Sequence, residues 1–166
     1  MSSIQAIYAP DTNVFIQAKN MYYAFDIAPC FWDCIVQQVG SNRIHIVDQV
    51  IEEIERGNDD LKRWVTTNLK GSIASTDSES CRSSYQQVVE RVNNQSRFSQ
   101  GEIAKFFRGA DPWLIAYAMA NRQEVVTMEA SAPAGKSVQI PDVCNAMNVG
   151  WGNTYGMLRN LGVVFK

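Results

Sequence analysis

The segment "PWLIAYAMA", residues 112–120, is apolar on nearly every side. Such a helix has no face for water, so it belongs in the interior, between a sheet and other helices. Asp111 stands directly before it, and Asp-Pro reads as a helix cap followed by Pro at the first helical position. Around this segment, short strand-like runs alternate with helical ones. Residues 4–9, 42–47, 71–76, 124–128 and 162–165 read as strands. Residues 13–19, 25–39, 59–69, 79–95, 111–121 and 141–148 read as helices. Asp48 reads as the cap of a helix through "QVIEEIER" that stops at Gly57, Ser99 with Glu102 reads as a capping box, and "WGNTYGMLRNLG" holds a last helix. This alternation predicts an α/β fold, a parallel sheet with helices on both faces. Sites in such sheets form beyond the carboxyl ends of the strands, so acids that follow strands are the candidates.

The rest of the sequence narrows the chemistry. With 166 residues, 46% of them hydrophobic and 19% charged, the chain supports one ordinary core, and residues 1–166 are expected to form a single domain. No apolar run reaches the length of a membrane span, and the first twenty residues lack a signal-peptide pattern, so a cytoplasmic protein without a membrane partner is expected. Cys30, Cys34, Cys81 and Cys144 contain no Cys-x-x-Cys pair and read as reduced thiols rather than zinc ligands. His45 is the one histidine. That excludes a two-histidine ribonuclease, and without a G-x-S-x-G elbow it argues against a Ser-His-Asp triad. Catalysis in this chain must rest on carboxylates.

Asp11 follows the first strand in "APDTNVF", and Asp111 and Asp142 each open a helix. In the helix after the second strand, Val50, Ile51 and Ile54 mark the buried face at about 100° per residue, which points Glu52 to solvent and brings Glu53 to the core rim. Taken singly, these acids read as caps, turns or solvated positions. Taken together, they converge on one sheet edge, where carboxylates repel one another unless a cation sits between them. An all-oxygen site suits Mg²⁺ or Mn²⁺, and metal-activated water makes phosphodiester hydrolysis the natural reaction. Thr12 and Asn13 suit support of such a site, and Thr127 and Glu129 stand near the same edge.

"DTNVF" after a first strand, an acid in the helix after the second, "DPWLIAYA", "VVT" ending a strand and a late "PD" resemble the PIN domain over essentially the whole chain. The sequence looks closest to a prokaryotic PIN-like group that shares "DTNVFIQAKN", "DPWLIAYA" and "IPDVC". The resemblance implies a three-layer α/β/α sandwich and a metal-dependent endoribonuclease. It also implies a VapC-like toxin with a small antitoxin partner, and a homodimer. Position by position, Asp11, Glu53 and Asp111 match the first three acids, and Asn13 and Thr127 match the supporting polar positions. Residues 130–137 look like an insertion that leaves both Glu129 and Asp142 as candidates for the fourth acid. Asp142 is favoured because a helix follows it. Pro10 departs from the pattern, since it cannot donate in a central ladder.

An RNA substrate calls for basic residues near the cleft, and Lys19, Arg82, Arg91, Arg97, Lys105 and Arg108 are available, with Tyr85, Phe98, Phe106 and Phe107 interleaved. Two other classes compete. One is a PIN-like module that binds RNA or protein without cutting. The other is a phosphatase or phosphotransfer domain; Asn13, where a haloacid-dehalogenase-type enzyme has its second Asp, argues against it.

Overall fold

The computed structural model describes residues 4–166. The sheet is parallel throughout. Its named strands are β1 (Tyr8–Pro10), β2 (Glu124–Val126) and β3 (Trp151–Gly152), in the order β1-β2-β3. Tyr8 stands opposite Glu124, Pro10 opposite Val126, and Val125 opposite Trp151. Beyond β1, single bridges continue the array: Ile44 pairs with Tyr8, and Val47 with Ala74. The expected strands at 42–47 and 71–76 are thus present as isolated parallel pairings. The expected strand at 162–165 is not; β3 takes its place. Gly162 adopts a left-handed turn (φ 70°) that ends the last helix, and Phe165 then packs edge-on against Tyr23 and Phe31.

Pro10 fits because backbone polar groups in a strand alternate sides. Tyr8 N donates to Arg43 O and His45 N to Tyr8 O, so residues 8 and 10 turn these groups away from β2. Glu124 N donates to Ile7 O, and Asp11 N to Val126 O, so the ladder with β2 runs past Pro10 without needing its N–H.

The helices are α1 (Thr12–Gln17), α2 (Pro29–Gly40), α3 (Asp48–Arg56), α4 (Asp60–Asn68), α5 (Glu79–Asn93), α6 (Gln100–Arg108), α7 (Asp111–Asn121), α8 (Ile140–Ala146) and α9 (Thr154–Asn160), with a π-helical turn Ala18–Tyr22 after α1. α2 starts at Pro29 rather than at residue 25, since the residue before a proline is kept out of the helical region; Ala28 has φ −133°. As its composition demands, α7 lies inside, against β1, β2, α5, α6 and α8, with Leu114, Ile115, Ala116 and Ala118 buried. The result is the expected three-layer α/β/α sandwich. Two acids expected as caps are not caps. Ala110 and Val47 hold those positions, which leaves Asp111 and Asp48 as the first residues of their helices. Asp48 instead ties the second and third strand segments together by accepting from Thr76 N (3.0 Å) and Thr76 Oγ1 (2.8 Å).

The aromatic-rich segment after α1 divides between core and surface. Phe31 and Trp32 are buried, whereas Met21, Tyr22 and Ile27 are exposed. Among the described residues no helix is long and apolar enough to cross a membrane.

Candidate active site

Asp11, Glu53, Asp111 and Glu129 are carried toward the carboxyl edge of the sheet by separate segments: the end of β1, α3, the head of α7 and the stretch after β2. Asp11 leaves β1 and caps α1, its Oδ1 accepting from Val14 N at 2.9 Å. Its Oδ2 accepts from the fully buried Thr127 hydroxyl at 2.7 Å, just beyond β2. Asp11 is thus a helix cap with its second oxygen held as well: one oxygen orders the helix, and the hydroxyl of Thr127 fixes the rotamer. Burial pushes the Asp11 carboxyl up to about 6 against the hydrogen bonds from Thr127 and Val14, with the Glu129 charge adding to the rise.

Glu53 joins three elements. Its Oε2 accepts from Thr12 Oγ1 at 2.5 Å, and its Oε1 accepts from Ala110 N at 2.7 Å. The second bond satisfies one of the free N–H groups at the start of α7. A Cβ on Gly109 would stand 3.2 Å from Glu53 Oε1, so this close approach favours glycine there. Glu52 is exposed, as the helical wheel requires.

Asp111 sits at the head of α7 with no capping bond of its own. Burial first, then the charges of Asp11, Glu129 and Glu53 in that order, push its carboxyl up to about 8. Glu129 is also raised, chiefly by burial, against the bond it accepts from Ile140 N at 2.7 Å, the first residue of α8. Asp11, Glu53, Asp111 and Glu129 thus share one electrostatic neighbourhood. The two ion pairs among the described residues, Lys19–Asp59 and Arg82–Asp77, involve none of them.

Asp142, the favoured fourth acid, is differently placed. It is the third residue of α8, with Gln139 at the cap. Its Oδ1 accepts from Ser131 Oγ at 2.6 Å and its Oδ2 from Ala132 N at 3.0 Å, so the carboxylate is engaged by the insertion loop. The acid whose pKa it raises is Glu129. Glu129, not Asp142, is the acid that acts on Asp11 and Asp111. Asn13 is exposed on α1.

The donor set fits a hard cation by its chemistry. It is all oxygen, it is partly buried, and neighbouring carboxylate charges add to burial in raising the Asp11 and Asp111 carboxyls. With the side chains as they stand, no three His, Cys, Asp or Glu residues among those described are arranged to hold a metal ion together.

The raised carboxyls give a testable pH dependence. A carboxyl whose folded pKa lies above its unfolded value contributes stability that is complete below the unfolded value and lost as pH rises through the folded one. For Asp111 that window runs from about 4 to about 8. In EDTA, melting temperature is therefore expected to fall as pH is raised from 5 to 9. Asp111→Asn should flatten that fall and raise the melting point at pH 9 by roughly 2–4 °C, about 1 kcal/mol for a chain of this size. Parallel profiles for the two proteins would rule this out.

The basic and aromatic residues expected along an RNA path are partly committed elsewhere. Lys19 pairs with Asp59, and Arg82 with Asp77. Phe98 and Phe106 are buried, while Tyr85 stacks on Trp113 with ring centroids 3.9 Å apart. The Ala110 N–H that holds Glu53 has no counterpart in the sequence reading, because backbone groups leave no sequence signal.

The fold is shared with solved structures. The crystal structure of VapBC2 from Rickettsia felis bound to a DNA fragment from their promoter contains a chain 16% identical to this one; the match covers 89% of this chain and 98% of that one, with a TM-score of 0.53. The crystal structure of FitAcB from Neisseria gonorrhoeae gives 16% identity, coverage of 90% and 99%, and a TM-score of 0.54. At this identity the likeness speaks for the fold, which is PIN-like. No curated protein matches the sequence. The model of the family described as "Domain of unknown function (DUF4411)" matches residues 8–165, and the chain belongs to that family.

Proposed function

We propose that this single-domain chain is a cytoplasmic, Mg²⁺- or Mn²⁺-dependent endoribonuclease. We further propose that it acts as a toxin restrained by a small antitoxin. The observation that carries the reading is the cluster of Asp11, Glu53, Asp111 and Glu129 at the carboxyl edge of one parallel sheet, with two of the carboxyls driven well above their ordinary range. The PIN-like fold and the likeness to chains of VapBC2 and FitAcB support the toxin assignment.

In this reading Asp11, Asp111 and Glu129, with Glu53 behind them, hold the cation, and Asp142 is the alternative fourth acid. The bound cation would polarise a phosphate and activate a water. Thr127 holds Asp11 in one rotamer, and Thr12 and the Ala110 N–H do the same for Glu53, so the acids do not have to be ordered at the moment of reaction. Asn13, exposed on α1 two residues after Asp11, is in this reading the group that orients a phosphate oxygen or a water. The exposed Met21, Tyr22 and Ile27 suit an antitoxin or a second copy of the chain.

The test is cleavage of a mixed set of single-stranded and structured RNAs by the purified chain in Mn²⁺ and in EDTA. Cleavage is expected in Mn²⁺ alone. Equal cleavage in both, or none in either, overturns the assignment. One observation favours a second reading, a non-catalytic RNA- or protein-binding module: the acids are not arranged as a closed metal site. That reading requires RNA to stay bound and intact when the metal is chelated.

A further inference from the structure

The connection between β2 and α8, residues 127–139, is long for a compact domain and contains no regular element, and it begins with Thr127 and Glu129 of the acid cluster. It is nevertheless fastened at several points. Glu129 reaches forward to accept from Ile140 N, and Asp142 reaches back to accept from Ser131 and Ala132. The third fastening comes from outside. Arg97, between α5 and α6, turns one guanidinium nitrogen onto the loop and donates to the carbonyls of Ala132 (3.2 Å), Pro133 and Gly135 (3.1 Å). The guanidinium carbon lies 4.4 Å from the centroid of the buried Phe98 ring, which steadies the side chain.

Arg97 pairs with no carboxylate among the described residues. Its polar bonds go to the loop backbone, and a fully charged donor bound to neutral carbonyls gives charge-assisted bonds. The turn it grips is tight: a Cβ on Gly135 would stand 3.0 Å from Ala132 O.

We infer that Arg97 is a positioning residue that sets the Glu129 carboxylate against Asp11 and Asp111 by gripping the turn at residues 132–135. The inference rests on the cation-site reading above. It gives a purpose to the α5–α6 connection, because a free loop would let Glu129 swing away from the other acids and lower their affinity for a cation.

The test is Mn²⁺ titration of the full chain by calorimetry, without RNA, together with the melting temperature of the metal-free protein. Arg97→Met keeps the aliphatic stem on Phe98 and removes the donors; it is expected to weaken Mn²⁺ binding by about tenfold or more, as loss of outer-shell support does elsewhere. Arg97→Lys restores an ammonium with three donors and should recover most of the affinity. Gly135→Ala opens the same turn from the loop side and should weaken binding as well. A lower melting point with unchanged Mn²⁺ affinity in both Arg97→Met and Gly135→Ala would leave Arg97 a purely structural role and overturn the inference. So would an Arg97→Lys variant as weak as Arg97→Met. A wild-type chain that binds no Mn²⁺ overturns the cation-site reading and this inference with it, whereas wild-type binding that the variants keep overturns the inference alone.

Discussion

Asp11→Asn and Asp111→Asn are each expected to lower Mn²⁺-dependent RNA cleavage by at least about 10²–10³-fold, because each removes a charge from a preorganised site. Neither change should unfold the protein. At position 11 an amide oxygen can still accept from Val14 N, and the amide nitrogen can donate to Thr127 Oγ1, whose hydroxyl rotates to accept. Asp111 makes no capping bond that Asn would lose, and Asn relieves the repulsion from Asp11, Glu129 and Glu53. Loss of activity with an equal or higher melting point at pH 8 is therefore the signature of a site residue. The double variant should be little worse than either single one, since groups that act as a unit are not additive. Cleavage by either single variant within a fewfold of wild type, measured under single-turnover conditions, would remove that residue from the reacting centre.

What the sequence disclosed and what it hid separate along physical lines. The α7 helix was legible because burial on all sides leaves only one kind of place for it. Glu53 was separable from Glu52 because helical periodicity fixes which side chain meets the core rim. The acids at strand ends were legible because a parallel sheet gathers its carboxyl ends on one edge. The final strand was misread because "GVVF" and the Trp151–Gly152 strand both lie near the last helix, and only long-range pairing decides between them. Capping was misassigned at Asp111 and Asp48 by one residue, since Asp is acceptable both at a cap and in the first turn. By sequence Arg97 is one more base available for RNA; its engagement with three carbonyls belongs to tertiary structure, and nothing in its local sequence signals it.

The same distinction governs the fourth acid. A helix following Asp142 made it the better match by pattern, whereas its hydrogen bonds commit it to Ser131 and Ala132. Glu129→Gln is accordingly expected to reduce cleavage as severely as Asp11→Asn, by about 10²–10³-fold. Its amide oxygen can still accept from Ile140 N, so the loop stays closed and only the charge facing Asp11 and Asp111 is lost. Asp142→Asn acts one step further out. It weakens the tie to Ser131 and Ala132 and lets Glu129 shift, an effect expected at about tenfold and visible as a raised Mn²⁺ requirement. Excess Mn²⁺ should therefore largely rescue Asp142→Asn and should not rescue Glu129→Gln. The measurement is cleavage rate against Mn²⁺ concentration for the two variants. If Asp142→Asn is the dead enzyme at saturating Mn²⁺ and Glu129→Gln the rescuable one, then Asp142 must turn from Ser131 and Ala132 toward the cation on binding, and the roles of the two acids are reversed.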